Sequence, residues 1–252
     1  REANIRALKK EIRKAKAATK GVLGVNIMVA LSNYADMVTA AVKEGIDLIL
    51  SGAGLPLNLP QLVGTAKTKL VPIVSSARSI RIILKRWKEK YSRLPDAVVV
   101  EGPMAGGHLG FTLEELNDDN FKLENILPAV IEEVRKAERP DHKIPVIAAG
   151  GIYSGHDIRR FLQLGADGVQ MGTRFVTTDE CDAAAEFKEA FLKAKKEDIT
   201  IIKSPVGLPG RAIKNSFLEK VDAGATTPFR CVYHCIKTCD FRKSPYCIAQ
   251  AL

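Results

Sequence analysis

A single histidine stands behind two glycines in residues 101–110 (EGPMAGGHLG). An imidazole takes or gives a proton near neutral pH. Glycines, lacking Cβ, let the backbone pass close to a flat ligand. His108 is therefore the candidate acid–base group, with Gly106 and Gly107 in the backbone that would approach the ligand. Two further glycine sites follow: Gly150 and Gly151 after the apolar run VIAA, and Gly172 with Thr173 after Gln170 and Met171. Each exposes backbone N–H groups able to meet an anion. Two such sites one repeat apart point to a phosphate-bearing cofactor. Neither the single dinucleotide fingerprint nor the serine-hydrolase elbow is present.

Other reactive side chains read less sharply. Ser75 and Ser76 follow an apolar run, where a serine faces a pocket or caps a helix. Arg211 would meet an anionic substrate or cap a loop. Four of the five cysteines, Cys231, Cys235, Cys239 and Cys247, fall in residues 229–252. Spacing by four would put the first three on one helical face, with His234 nearby. That spacing matches neither the common zinc knuckles nor the ferredoxin patterns, so no metal ligand is assigned. Cysteine also packs as a small hydrophobe. Cys181 reads as incidental.

The elements that would carry these residues alternate. Strands are expected over 23–29, 48–51, 70–74, 97–100, 146–149 and 168–175. Helices are expected from Asn33 or Ser32 to about Glu44, over 78–91 and 125–137, and from Ser154 to Leu164. The strand segments are unbroken Val/Ile/Leu/Ala runs, the pattern of a parallel sheet buried on both faces. Repeated βα units give a doubly wound sheet or a (β/α) barrel, and glycine sites after the late strands favour the barrel. If those strands are the seventh and eighth, two βα units of an eight-stranded barrel would precede residue 1, so an N-terminal truncation is expected. A complete six-stranded variant is the alternative. Beyond the barrel, a charged helix is expected over 180–196, loops over 203–228, and helix again at 249–252.

The chain has 252 residues, 46% hydrophobic and 27% charged, which excludes disorder and allows a large core. No apolar run is long enough to span a bilayer, and five cysteines suggest no disulfide scaffold, so a cytoplasmic setting is expected. The net charge of +9 invites a nucleic-acid reading. Residues 1–20 hold eight Lys/Arg against two Glu, however, so most of the surplus is one helical face. Aromatics at 6% and the lack of a recognisable module speak against nucleic acid.

The motifs GVNI (24–27), AGGHLG (105–110), AAGGI (148–152) and GADGVQMGTRF (165–175) together resemble the nitronate monooxygenase family. The FabK-type enoyl-acyl-carrier-protein reductases share them. The resemblance covers about residues 21–220 and implies an FMN enzyme on a TIM barrel with an inserted helical lid. Mapped onto this chain, it makes His108 the active-site histidine. It places Asn26, Glu101 and Gly106 against the flavin, although Glu101 stands where many monooxygenases have glutamine. It puts Gly151 and the run Gln170, Met171, Gly172 and Thr173 at the FMN phosphate, with Gly150 adjacent. Residues 1–175 would be the partial barrel, 176–228 the lid and 229–252 a cysteine-rich tail. The implied activity is oxidation of alkyl nitronates by O2 to a carbonyl compound and nitrite. The alternatives are an NAD(P)H-dependent enoyl-thioester reductase and a non-catalytic binding module. The expected partner is a small-molecule substrate, with no membrane or nucleic acid and with a homodimer left open.

Overall fold

The computed structural model describes residues 2–205, 207–226 and 230–248. From the N-terminus it runs α1 (Glu2–Ala18), β1 (Gly24–Asn26), α2 (Tyr34–Lys43), β2 (Leu48–Ser51), α3 (Leu59–Val63), β3 (Lys69–Val74), α4 (Ala77–Tyr91) and β4 (Val98–Glu101). It continues with β5 (Gly107–His108), α5 (Leu123–Ala137), β6 (Val146–Ala149), α6 (Gly155–Gln163), β7 (Gly168–Gln170) and α7 (Thr173–Val176). The last elements are α8 (Ala185–Lys193), β8 (Ile199–Lys203), β9 (Pro209–Ile213) and α9 (Ser216–Asp222).

Six strands form one parallel sheet in the order β1-β2-β3-β4-β6-β7, with helices between successive strands. This is a curled, partial (β/α) barrel, as the unbroken apolar runs predict. Val98, Val99 and Val100 are buried, as are Leu70, Val71 and Val74. Helix α4 turns the expected stripe of Ile80, Ile83, Leu84 and Trp87 into the core, and the buried Trp87 Nε1–H donates to the Pro56 carbonyl at 3.1 Å. Ser76 caps this helix by accepting from Ser79 N–H. Ser154 and Asp157 form a reciprocal capping box on α6, as the sequence indicates.

One device recurs at the start of the strands. Three aspartates in the turns before β2, β4 and β7 reach sideways to the neighbouring strand. Asp47 accepts from Leu23 N–H, Asp96 from Leu70 N–H and Asp167 from Val146 N–H, at 2.8, 2.9 and 2.8 Å. Each satisfies a donor where the neighbouring strand begins, and so helps fix the register of the pair.

Several segments depart from expectation. The last barrel strand stops at Gln170 rather than Phe175, and Thr173 already begins the single helical turn α7. The charged helix of 180–196 is shorter, Ala185–Lys193. Residues 203–228 are not all loop: β8 and β9 pair antiparallel and α9 follows, capped by Asn215. The stretch expected to be a lid is therefore, among its described residues, a mixture of helices and a hairpin. Pro209 sits at the first position of β9, where a proline is tolerated. Residues 230–247 form no helix, so the cysteines do not share a helical face. This segment pairs instead with the loop after β1: Ser32 N–H donates to the Cys235 carbonyl and Lys237 N–H to the Ala30 carbonyl, both at 3.0 Å. His234 adopts a positive φ of 44°, which a continuing helix does not allow. Residues 249–252, expected to be helical, lie outside those described.

Candidate active site

The strand ends position the site. Asn26, Glu101 and Gln170 are the last residues of β1, β4 and β7. Glu101, Ala149 and Gln170 pair in register and form one row across three adjacent strands. The expected site residues thus gather on the C-terminal rim of the sheet, where barrel folds carry their chemistry.

A cavity of about 360 Å³ opens on this rim. Asn26, Glu101 and His108 line it together, with Ser75, Gly52 and Leu208 also in its wall. Burial pushes the His108 imidazole below its usual pKa, so it is neutral at pH 7. Burial pushes the Glu101 carboxyl up. No hydrogen bond or ion pair engages that carboxyl among the described residues.

His108 is not held by the barrel alone. Its two-residue strand β5 pairs antiparallel with β9, placing Gly107 opposite Arg211 and His108 opposite Gly210. The ring Nε2 lies 2.7 Å from Ser204 Oγ, and Ser204 is 3% exposed. Of the two expectations for Arg211, the structure shows the loop-capping one. Its guanidinium donates to the Ala105 carbonyl at 3.1 Å and the Pro103 carbonyl at 2.8 Å, clamping the loop that carries the histidine. Ser75 lines the pocket and donates to the Gly110 carbonyl at 3.1 Å.

The remaining candidates are dispersed along the rim. Gly150 and Gly151 line a neighbouring cavity of about 240 Å³ beside Asp157 and Arg160. Local backbone geometry already requires glycine at both. Their φ values are +93° and +80°, and a Cβ at Gly150 would lie 2.9 Å from the Gly102 carbonyl oxygen. Gly106 and Gly172 are different, because a Cβ built on either meets nothing within 4 Å. Gly107, φ +72°, borders the groove between α8 and β9. Gln170 and Met171 are half-buried at the end of β7, and Gly172 and Thr173 are exposed at the start of α7. The structure therefore brings Asn26, Glu101 and His108 into one pocket, while the two glycine sites flank it. Sequence reasoning missed Ser204 and Leu208. Ser204 follows β8 and lies 96 residues from the histidine it touches, so no local spacing signals it.

A parallel (β/α) sheet with a titratable pocket on its C-terminal rim defines a barrel protein of the ligand-binding or catalytic kind. The comparisons give the family: the nitronate monooxygenase family model matches residues 2–250, and the chain belongs to that family. It is 27% identical over 197 residues to a probable nitronate monooxygenase of Staphylococcus saprophyticus, covering 77% of this chain and 52% of that protein. It is 28% identical over 214 residues to a Mycobacterium tuberculosis protein named as a (3aS,4S,5R,7aS)-5-hydroxy-7a-methyl-1-oxo-octahydro-1H-indene-4-carboxyl-CoA dehydrogenase, covering 85% of this chain and 54% of that one. The structure of FabK from Thermotoga maritima superposes with a TM-score of 0.72 at 30% identity, covering 87% of this chain and 63% of that one. The chain spans about half the length of these curated relatives.

Proposed function

We propose that this chain carries the flavin-facing rim of an FMN-dependent oxidoreductase acting on alkyl nitronates. The observation that carries the reading is the meeting of His108, Asn26 and Glu101 in one pocket at the strand C-termini. The pocket lies within the size range of small-molecule sites. Open space over Gly106 and Gly172, and a Glu101 carboxyl without a protein partner, fit a flat polar group laid across the rim. Asn26, Glu101, Gly106 and Gly107 would hold the ring system. Gly150, Gly151, Gln170, Met171, Gly172 and Thr173 would hold its phosphate arm. FMN, when bound, supplies the electron transfer that side chains cannot perform.

The chain's own groups would handle the proton and the anion. In the tautomer whose Nε2–H donates to Ser204 Oγ, Nδ1 of His108 is the basic nitrogen. A neutral His108 removes the acidic proton of a nitroalkane, or its protonated form hydrogen-bonds the nitronate oxygens. Residues 176–228 would cover the substrate, and their hairpin holds Ser204 against the imidazole. The products would be a carbonyl compound and nitrite.

Likeness to FabK and to a protein named as a carboxyl-CoA dehydrogenase favours a second reading, an NAD(P)H-dependent reductase of enoyl thioesters. One experiment separates the readings. Purified chain reconstituted with FMN is mixed anaerobically with an alkyl nitronate or with NADPH. Rapid bleaching of the flavin by the nitronate is expected. Bleaching by NADPH alone overturns the monooxygenase reading in favour of the reductase. A chain that takes up no FMN overturns both and leaves a binding module.

A further inference from the structure

Four cysteines that the proposed reaction does not use come together in the segment after α9. Cys231, Cys235, Cys239 and Cys247 line one cavity of about 280 Å³, with His234 in the same wall. All are free thiols, three of them half-buried and Cys247 buried. Residues 230–247 have no helix or strand. They hold to the barrel through backbone bonds at Ala30 and Ser32 and through Lys237 Nζ, which donates to the Val29 carbonyl at 3.0 Å. Tyr246 and Cys247 are the buried apolar residues of the segment. So small a core offsets little of the entropy of ordering about twenty residues. Segments of this kind are commonly fixed by a cross-link or a metal.

We propose that Cys231, Cys235, Cys239 and Cys247 form a tetrathiolate site for one thiophilic metal centre, a zinc ion or an iron–sulfur cluster, that fastens residues 230–248 to the loop after β1.

Charge supports the site. A divalent ion with four thiolates is a dianion, and residues 230–248 carry Arg230, Lys237, Arg242 and Lys243 against Asp240 alone. No three His, Cys, Asp or Glu side chains among the described residues already stand at ligand geometry. On this proposal the four side chains turn into the shared cavity as the thiols lose their protons to the metal. Its position gives it structural reach, since Asn26, the last residue of β1, and Met28, in the loop it would fasten, line the candidate pocket.

The test reads metal content and thiol protection on the intact chain. Chain purified without chelator is analysed for zinc, iron and sulfide, then pulse-alkylated with iodoacetamide and mapped by mass spectrometry. The expected result is about one zinc ion or one cluster per chain. Colourless zinc protein and brown iron–sulfur protein distinguish the two centres. Cys231, Cys235, Cys239 and Cys247 should resist alkylation until a chelator is added, while Cys181 reacts at once. Cys181→Ser should keep its metal, and Cys235→Ser should lose affinity at least about tenfold. The proposal is overturned if neither metal is retained and added Zn²⁺ leaves all five cysteines equally reactive. It is also overturned if metal binds without protecting those four. The protection pattern of the unmodified chain decides the matter even if Cys235→Ser fails to fold.

Discussion

At the scale of the residue, the proposed chemistry rests on the imidazole of His108. Its neutral state follows from burial, and its orientation follows from Ser204 Oγ at 2.7 Å. His108→Ala is expected to lower turnover at least about tenfold while FMN content, read from flavin released on denaturation, stays that of the parent. In the parent, kcat/KM should fall with acid only below the ordinary histidine pKa of about 6.5, because burial favours the uncharged ring. The variant should lose that limb. An acid limb retained in the variant would assign it to another group. The place of His108 in the pocket was legible in the sequence because two glycines precede it at the end of an apolar strand, on the face where barrel folds carry function. Ser204 was not, because its role depends on a hairpin returning to the barrel rather than on any neighbour in the chain.

At the scale of the element, the barrel strands were legible because a strand buried on both faces has only one composition to choose from. Their ends were harder to read. Strand β7 keeps an apolar pattern through Met171 and Phe175, yet pairing stops at Gln170, where Gly172 turns the chain. The hairpin β8–β9 was hidden by Gly207, Pro209 and Gly210, residues that ordinarily mark loops. The cysteine spacing suggested a helix, but the 230–247 backbone bonds outward to the loop after β1 instead. The aspartates that staple the strand starts carry the clearest element-scale prediction. Burial raises the Asp96 carboxyl, but the Leu70 N–H, Lys69 and Arg93 outweigh it and hold the carboxyl below its usual pKa. A depressed folded pKa means that this stabilisation is present above the unfolded value near 4 and is lost as pH falls through the folded value. Asp96→Asn should therefore cost about 1–2 kcal/mol at neutral pH, measured by urea unfolding. The difference from the parent should shrink below about pH 4. An undiminished difference in acid would show that the carboxylate charge contributes nothing.

At the scale of the whole molecule, the net charge changes meaning once α1 is placed. Arg13 forms two hydrogen bonds to the Glu44 carboxylate at 2.7 and 2.8 Å, and Lys16 Nζ donates to the Glu44 and Gly45 carbonyls. Part of the basic face is thus a clasp on the C-terminal end of α2, where cations are favoured. Among the described residues, no helix is long and apolar enough to cross a membrane. The pairing of β5 with β9 also bears on how the molecule fails. The histidine rests on a three-stranded sheet whose other two strands lie outside the barrel, and segments with little buried surface open at lower free energy than the core. Heat should therefore silence the molecule before it melts. Activity should decline, and the amides of β8 and β9 should exchange with deuterium, at temperatures where the far-ultraviolet signal of the barrel helices is still intact. Coincident loss of activity and helix signal would make hairpin and barrel one cooperative unit. If the two losses separate, the upper working temperature is set by about fifteen residues of hairpin, and stiffening that hairpin would extend the working range without any change to the core.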